Sequence, residues 1–164
     1  MNNGMKKWIV LAGALAMAAS VPAQNLQNAK LNIHKNNIKV WTYQHPQNPV
    51  FLYKAETTFP VSIEKAAGLI LDVEHAISWV PYMGSVKVLS RDDQKGEFLL
   101  YMVLDFPFPL KDRDLVVKGR MFKDAQGVIH IQNKAVSQGY PLNPSYVRLT
   151  HYEGDWIVTK LSAK

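Results

Sequence analysis

The chain has 164 residues, 48% of them hydrophobic, and carries a formal net charge of +6. This length suffices for one domain with a substantial core, and the absence of cysteine excludes a disulfide framework. Lysine and arginine are scattered along the chain rather than gathered in a basic block. The charge therefore favours transient contact with anionic surfaces such as phospholipid head groups, and it argues against nucleic-acid binding.

Residues 1–23 are predicted to form a secretory signal peptide. Lys6 and Lys7 give a basic start, an apolar run follows, and the segment ends at Ala23 in a small-residue cleavage pattern. The apolar run is shorter than the roughly 20 residues of a membrane-spanning helix, although an uncleaved anchor is an alternative. We expect cleavage near Ala23 and a periplasmic or secreted domain of residues 24–164. Without Lys6 and Lys7, this domain has 17 basic and 13 acidic residues.

The first half of the mature chain predicts a weak helix, a hairpin and a helix pair. Residues 24–37 are predicted as a short, weak helix, and the alternating runs 38–44 and 50–59 around a proline-containing turn predict an antiparallel hairpin. Ser62 is a favourable N-cap for an amphipathic helix, and residues 72–80 predict a second short helix. The first helix is predicted from apolar residues at helical spacing, namely Ile63, Ala66, Ala67, Ile70 and Val73.

The second half of the chain is predicted to be almost entirely strand. Residues 97–106 are apolar on both faces, which indicates a strand in the middle of a sheet with layers above and below it. The order of elements predicts an α+β fold with one long, curved antiparallel sheet and the helix pair inserted after its second strand. The predicted strands are 85–90, 97–106, 114–123, 128–137, 146–152 and 155–161.

The connection at residues 106–114, with the sequence FPFPLKDRD, is the most informative segment. Proline has no N–H for a strand ladder and holds the preceding residue extended, so the segment must leave the sheet. Two phenylalanines in such a connection need cover from a core or from a ligand. The polar candidates are Asp112, Arg113 and Asp114. In one interpretation, Arg113 pairs with the neighbouring acids and with strand-edge carbonyls. In the other, its guanidinium binds a lipid phosphate or carboxylate.

Several segments together resemble the START family (steroidogenic-acute-regulatory-related lipid transfer), and FPFPLKDRD is the most specific of them. The resemblance covers residues 31–161 and is greatest to the bacterial, exported branch. The other segments are IKVW at 38–41, FLYKA at 51–55, LDVE at 71–74 with Trp79, VR at 147–148 and YEGDW at 152–156.

The resemblance implies a helix-grip fold, in which a bent antiparallel sheet closes around a long C-terminal helix and encloses a hydrophobic cavity. Family members bind one lipid or sterol-like molecule there, and most have no catalytic residues. This chain stops at Lys164 without a segment that matches the closing helix. We therefore expect a C-terminally truncated START-like domain, with cover supplied by another chain as the alternative.

Bulky apolar residues in and around the two-faced strand favour a ligand cavity, and methionines there adapt to varied apolar ligands. We predict non-catalytic binding, and possible transfer, of a lipid or other hydrophobic small molecule by a monomer. The residues predicted to bind it are Trp79, Tyr82, Met83, Phe98, Leu100, Met102, Leu104, Phe106, Phe108, Arg113, Leu115 and Val117.

Neither a cofactor nor a metal is expected. The five histidines lack metal-ligand spacing, cysteine is absent, and no serine lies in a nucleophile-elbow motif. One alternative is an enzyme of the cyclase/dehydrase type on the same fold, with its polar residues among Glu74, His75, Asp112 and Arg113. A truncated fragment without independent function is a further alternative.

Overall fold

A computed structural model describes residues 29–44 and 51–161. The chain divides into two compact units, Met1–Phe59 and Pro60–Lys164, which are described separately. Among the described residues, no helix combines the length and apolar character needed to cross a lipid bilayer. The predicted signal peptide, residues 1–23, lies outside the described part of the chain, so its assignment stays a prediction.

The first unit contains a three-stranded antiparallel sheet of β1 (Lys30–Lys35), β2 (Ile38–Gln44) and β3 (Phe51–Thr57), in that spatial order. The predicted hairpin is confirmed as β2 and β3. The predicted helix is wrong where it is described, because Asn36 and Asn37 adopt left-handed conformations that turn β1 back onto β2. Asparagine tolerates this conformation better than most residues do. The remaining part of that prediction falls outside the described residues.

The second unit begins with the two predicted helices. Helix α1 (Ile63–Leu71) starts at Ser62, whose hydroxyl accepts a hydrogen bond from the Lys65 amide at 3.3 Å. The second helix is a short 3₁₀ helix, Val73–Ser78. Because β1 adds a strand, the helix pair follows the third strand of the described chain rather than the second.

The remaining strands form a six-stranded sheet with the order β4-β5-β6-β7-β9, and β8 lies parallel to β6 at one end. The predicted strand 146–152 shrinks to the two residues of β8, because only its start reaches the backbone of β6. The described strands thus form two sheets rather than the single sheet that we expected. The strands are β4 (Met83–Asp92), β5 (Glu97–Leu104), β6 (Arg113–Lys123), β7 (Ile129–Val136), β8 (Val147–Arg148) and β9 (Glu153–Val158).

The six-stranded sheet has two apolar faces, because β5 alternates Leu100 with Tyr101 and both are buried. We call one the helix face, since α1 packs there through Ala67 against Ile129 and Ile131. The other, the tyrosine face, carries Tyr101, Val103 and Val116, over which Tyr140 and Tyr146 pack. The prediction that this strand is covered on both sides is confirmed.

Candidate functional site

The helix face gathers six of the predicted ligand-binding residues. Leu100 pairs with Val117 and Met102 with Leu115 across β5 and β6. Side chains at directly opposite positions project to the same side of a sheet, so these four form a continuous apolar surface. Phe98 and Leu104 extend it towards either end of β5.

One end of the helix face is closed by the helix pair. A gap of about 10 Å³ remains there, lined among others by Leu71, Val73, Phe98 and Leu100. This volume is at the lower limit of what one water molecule needs, so the gap is too small to hold a lipid. Phe98 also crosses Gly119 so closely that a Cβ at Gly119 would lie 2.0 Å from its ring. The available apolar surface is therefore at the other end of the face.

That other end carries a stack of three predicted residues, Tyr82, Phe106 and Arg113. The rings of Tyr82 and Phe106 are 5.5 Å apart and tilted by 7°, and the Arg113 guanidinium lies 4.9 Å from the centre of the Phe106 ring. Cation–π contact of this kind orients a guanidinium without neutralising it. A cation therefore lies beside the apolar surface formed by Met102 and Leu104.

The expected pairing of Arg113 with its neighbouring acids is wrong for the described residues. Arg113 donates instead to the carbonyl of Lys111, which lies in the loop before β6 rather than on the strand edge that we expected. Successive residues of a strand project to opposite faces, so Asp114 points away from Arg113. Asp112 accepts a hydrogen bond from the Phe106 amide at 3.0 Å.

Residues 105–112 form what we call the aromatic loop, and its tip is apolar and exposed. The Phe108 side chain is 96% exposed, and Leu110 is 52% exposed. The Leu110 amide donates to the Pro107 carbonyl at 3.1 Å, and the Phe108–Pro109 peptide bond is cis. Of the two phenylalanines predicted to need cover, Phe106 has it from its stack, whereas nothing in the described part of the chain covers Phe108.

Two further predicted residues flank the turn into β4. Trp79 follows the 3₁₀ helix and is 42% exposed, whereas Met83 begins β4 and is buried. Tyr82 between them has a positive φ of 62°, and its carbonyl accepts a hydrogen bond from the Asp105 amide at 2.8 Å. This turn therefore meets the start of the aromatic loop.

A buried ion pair on the tyrosine face was not predicted. Arg148 binds Asp114 through Nε and Nη2 at 2.9 and 2.8 Å, and Tyr101 donates to the same carboxylate at 3.0 Å. The Arg148 hydrogen bonds hold the pKa of Asp114 below its usual value. Burial, with the neighbouring Asp114, raises the pKa of Tyr101 to about 12. The only sequence signal was an isolated arginine after a proline-rich segment.

The residues proposed for the enzymatic alternative do not come together. Glu74 and His75 are exposed on the 3₁₀ helix. His75 Nδ1 lies 2.8 Å from a carboxylate oxygen of Asp72, and this hydrogen bond raises the pKa of His75. Asp112 and Arg113 have the separate partners given above. Among the described residues, no group of three histidine, aspartate or glutamate side chains is arranged to hold a metal ion.

Sequence comparison finds relatives named for lipid transfer, although no protein-family model matches the chain. The mouse mitochondrial StAR-related lipid transfer protein 7 is 26% identical over 127 residues, which are 76% of this chain and 34% of that protein. Bovine phosphatidylcholine transfer protein is 27% identical over 133 residues, 76% of this chain and 59% of that protein. The chain thus spans about a third to three fifths of the length of these curated relatives.

A solved structure gives the same result for the fold. The crystal structure of a STAR-related lipid transfer protein fragment from Xanthomonas axonopodis superposes with a TM-score of 0.76 at 22% identity, over 82% of this chain and 75% of that one. The curved antiparallel sheets with few helices match the START helix-grip fold. The predicted resemblance to START proteins is therefore confirmed, whereas the exported branch and the C-terminal truncation stay predictions.

Proposed function

We propose that the chain binds one lipid or other hydrophobic small molecule on the helix face and catalyses no reaction on it. The START relatives are lipid-transfer proteins, which supports lipid binding. The observation that carries the proposal is the apolar surface at Met102 and Leu104, which are half-buried and adjoin the buried Leu100, Leu115 and Val117 on the same face. Removal of such apolar surface from water is the main source of affinity for an acyl chain.

The ligand's polar group is proposed to lie at Arg113. The guanidinium is held against the Phe106 ring and has no carboxylate partner among the described residues, so its charge is available to a phosphate or carboxylate. Arginine binds both groups through paired hydrogen bonds. An amphiphile would then lie with its tail along Met102 and Leu104 and its head at this stack.

Native mass spectrometry of the purified protein tests this proposal, together with uptake of a fluorescent fatty acid. A co-purified lipid is expected, and Met102→Glu should reduce uptake at least tenfold because it places a charge in the apolar surface. Gln132→Glu is the matched control, since it adds the same charge on the opposite face. An empty protein that takes up no fluorescent fatty acid would contradict the proposal.

We also propose that the aromatic loop contacts an anionic membrane surface during lipid exchange. Phe108 and Leu110 are exposed side by side with Lys111, and apolar groups next to a cation favour the boundary between head groups and acyl chains. Co-sedimentation with phosphatidylglycerol-containing vesicles is expected to exceed that with phosphatidylcholine vesicles alone. Equal binding to both, or none to either, would contradict this contact.

Export is proposed from residues 1–23 alone. The basic start and the apolar run support cleavage near Ala23. N-terminal sequencing of the protein from a periplasmic extract should begin near Gln24. Recovery of the uncleaved chain from the membrane fraction would favour the anchor instead.

A further inference from the structure

The tyrosine face contains an open pocket of about 510 Å³ that is separate from the candidate lipid site. Tyr101 and Val103 form its floor, and Tyr140 and Tyr146 form part of its walls. Its volume lies within the range of about 300 to 1,000 Å³ that is typical of small-molecule sites. The pocket uses the side chains of β5 that point away from the helix face.

The wall of this pocket is held by the buried ion pair. Arg148 donates to the carbonyl of Tyr140 at 3.3 Å and to that of Pro141 at 2.9 Å, while Asp114 holds the guanidinium from the other side. The Tyr140 ring also stacks on Tyr101 with 3.9 Å between ring centres. A wall fixed in this way loses little conformational entropy when a ligand binds.

Each polar side chain among the described lining residues of this pocket carries a hydrogen-bond donor, and the hydroxyls of Ser85, Tyr140 and Tyr146 can also accept. Among residues 29–44 and 51–161, no acidic side chain lines it, and Asp114 lies beneath Tyr101 with only 1% exposure. Asn143 uses its carbonyl oxygen to accept from the Ser145 amide at 3.0 Å, which leaves its NH₂ group as a donor. Lys87 lies next to the lining, with its ammonium 5.3 Å from the centre of the Tyr140 ring, and has no carboxylate partner in the described part of the chain. The pocket therefore suits a ligand that brings negative charge.

We propose that this pocket binds a small aromatic carboxylate. The Tyr146 ring and the pyrrolidine rings of Pro141 and Pro144 present apolar surface to a planar body, while the Asn143 amide in the lining and the Lys87 ammonium beside Tyr140 match its carboxylate. The site is independent of the lipid proposed for the helix face, because the two ligands would contact opposite sides of the same strand.

The test is a titration of the full chain with 2-naphthoate and with the uncharged 2-naphthamide, followed by calorimetry and by amide NMR shifts. The carboxylate is expected to bind about tenfold or more tightly than the amide, since a hydrogen bond to a charged group is worth roughly one decade in Kd. The largest shifts should fall on residues 140–146.

Two variants localise the site. Lys87→Met should weaken 2-naphthoate binding about tenfold, because its ammonium lies over the Tyr140 ring at the pocket. Lys118→Met, which replaces an exposed lysine of the same face, should leave binding unchanged. Lys87 is exposed, so its replacement leaves the fold intact. The proposal is overturned if neither compound binds at millimolar concentration, if both bind equally, if both variants weaken binding alike, or if the shifts fall on Met102 and Leu104.

Discussion

The two loops that flank the start of β6 are similar in composition and opposite in environment. The aromatic loop and residues 137–146, here called the proline loop, each contain two prolines and large apolar side chains. Phe108 of the aromatic loop faces solvent, whereas Tyr140 of the proline loop is stacked on the sheet. Arg148 contributes to this difference, because it binds two carbonyls of the proline loop and is itself anchored by a buried aspartate.

Arg148→Met should give the largest loss of stability. It leaves Asp114 buried without its cation, and removing one partner of a buried ion pair costs about 3–5 kcal/mol. Urea unfolding of the variant measures this loss directly.

Arg113→Met is the matched control, because Arg113 lies only one residue from Asp114 but binds the aromatic loop. This substitution should lower the unfolding free energy by less than about 1 kcal/mol, since Arg113 contacts only a ring face and one backbone carbonyl. The double variant Arg148→Met/Asp114→Leu should recover much of the loss by removing the unpaired charge. Equal destabilisation by the two single arginine variants would contradict the contrast between the loops.

The sequence predicted most of the fold because local signals and tertiary packing agree. The helix capped by Ser62, the hairpin of β2 and β3, and the two-faced strand β5 all have strong periodicity. The errors fall where tertiary contacts decide. Residues 30–35 form a strand because they pair with β2. The predicted strand 146–152 is reduced to β8 because only Val147 and Arg148 pair with β6.

The candidate sites were predicted less completely, for a related reason. The apolar residues of the helix face share a strand and its alternation, so one segment of sequence identifies them. The ion pair joins Asp114 and Arg148 across 34 residues, and nothing local in the sequence marks them as partners. One of the two interpretations of Arg113 pairs it with its sequence neighbours, but alternation along β6 places Asp114 on the other face of the sheet.

Tyr140→Ala should give the second largest effect. It removes a half-buried ring from its stack on Tyr101, for which we expect a loss of about 1–2 kcal/mol. Tyr140→Phe keeps the stack and should unfold at nearly the wild-type urea concentration. The idea that the proline loop is bound to the sheet by this ring fails if the alanine variant is as stable as the phenylalanine variant.

Acid should weaken the ion pair that holds the proline loop. The pKa of Asp114 is lower in the folded state than its usual value of about 3.9, so its contribution to stability is present above that pH and is lost as the pH falls through the folded-state pKa. The difference in unfolding free energy between wild type and Asp114→Asn should therefore shrink below about pH 4. A difference that stays constant down to about pH 2 would show that the carboxylate charge does not stabilise the pair.

Phe108→Ser should have the smallest effect on stability and the clearest effect on function. A side chain that is 96% exposed contributes almost no buried area, so the unfolding free energy should change by less than about 0.5 kcal/mol. The same substitution should reduce sedimentation with phosphatidylglycerol-containing vesicles, because it removes the most exposed apolar group of the loop. Leu142→Ser, at an exposed leucine of the proline loop, is the matched control and should leave vesicle binding unchanged. Equal losses in both variants would mean that exposed apolar residues of either loop contact the membrane, and that the contrast between the loops concerns stability alone.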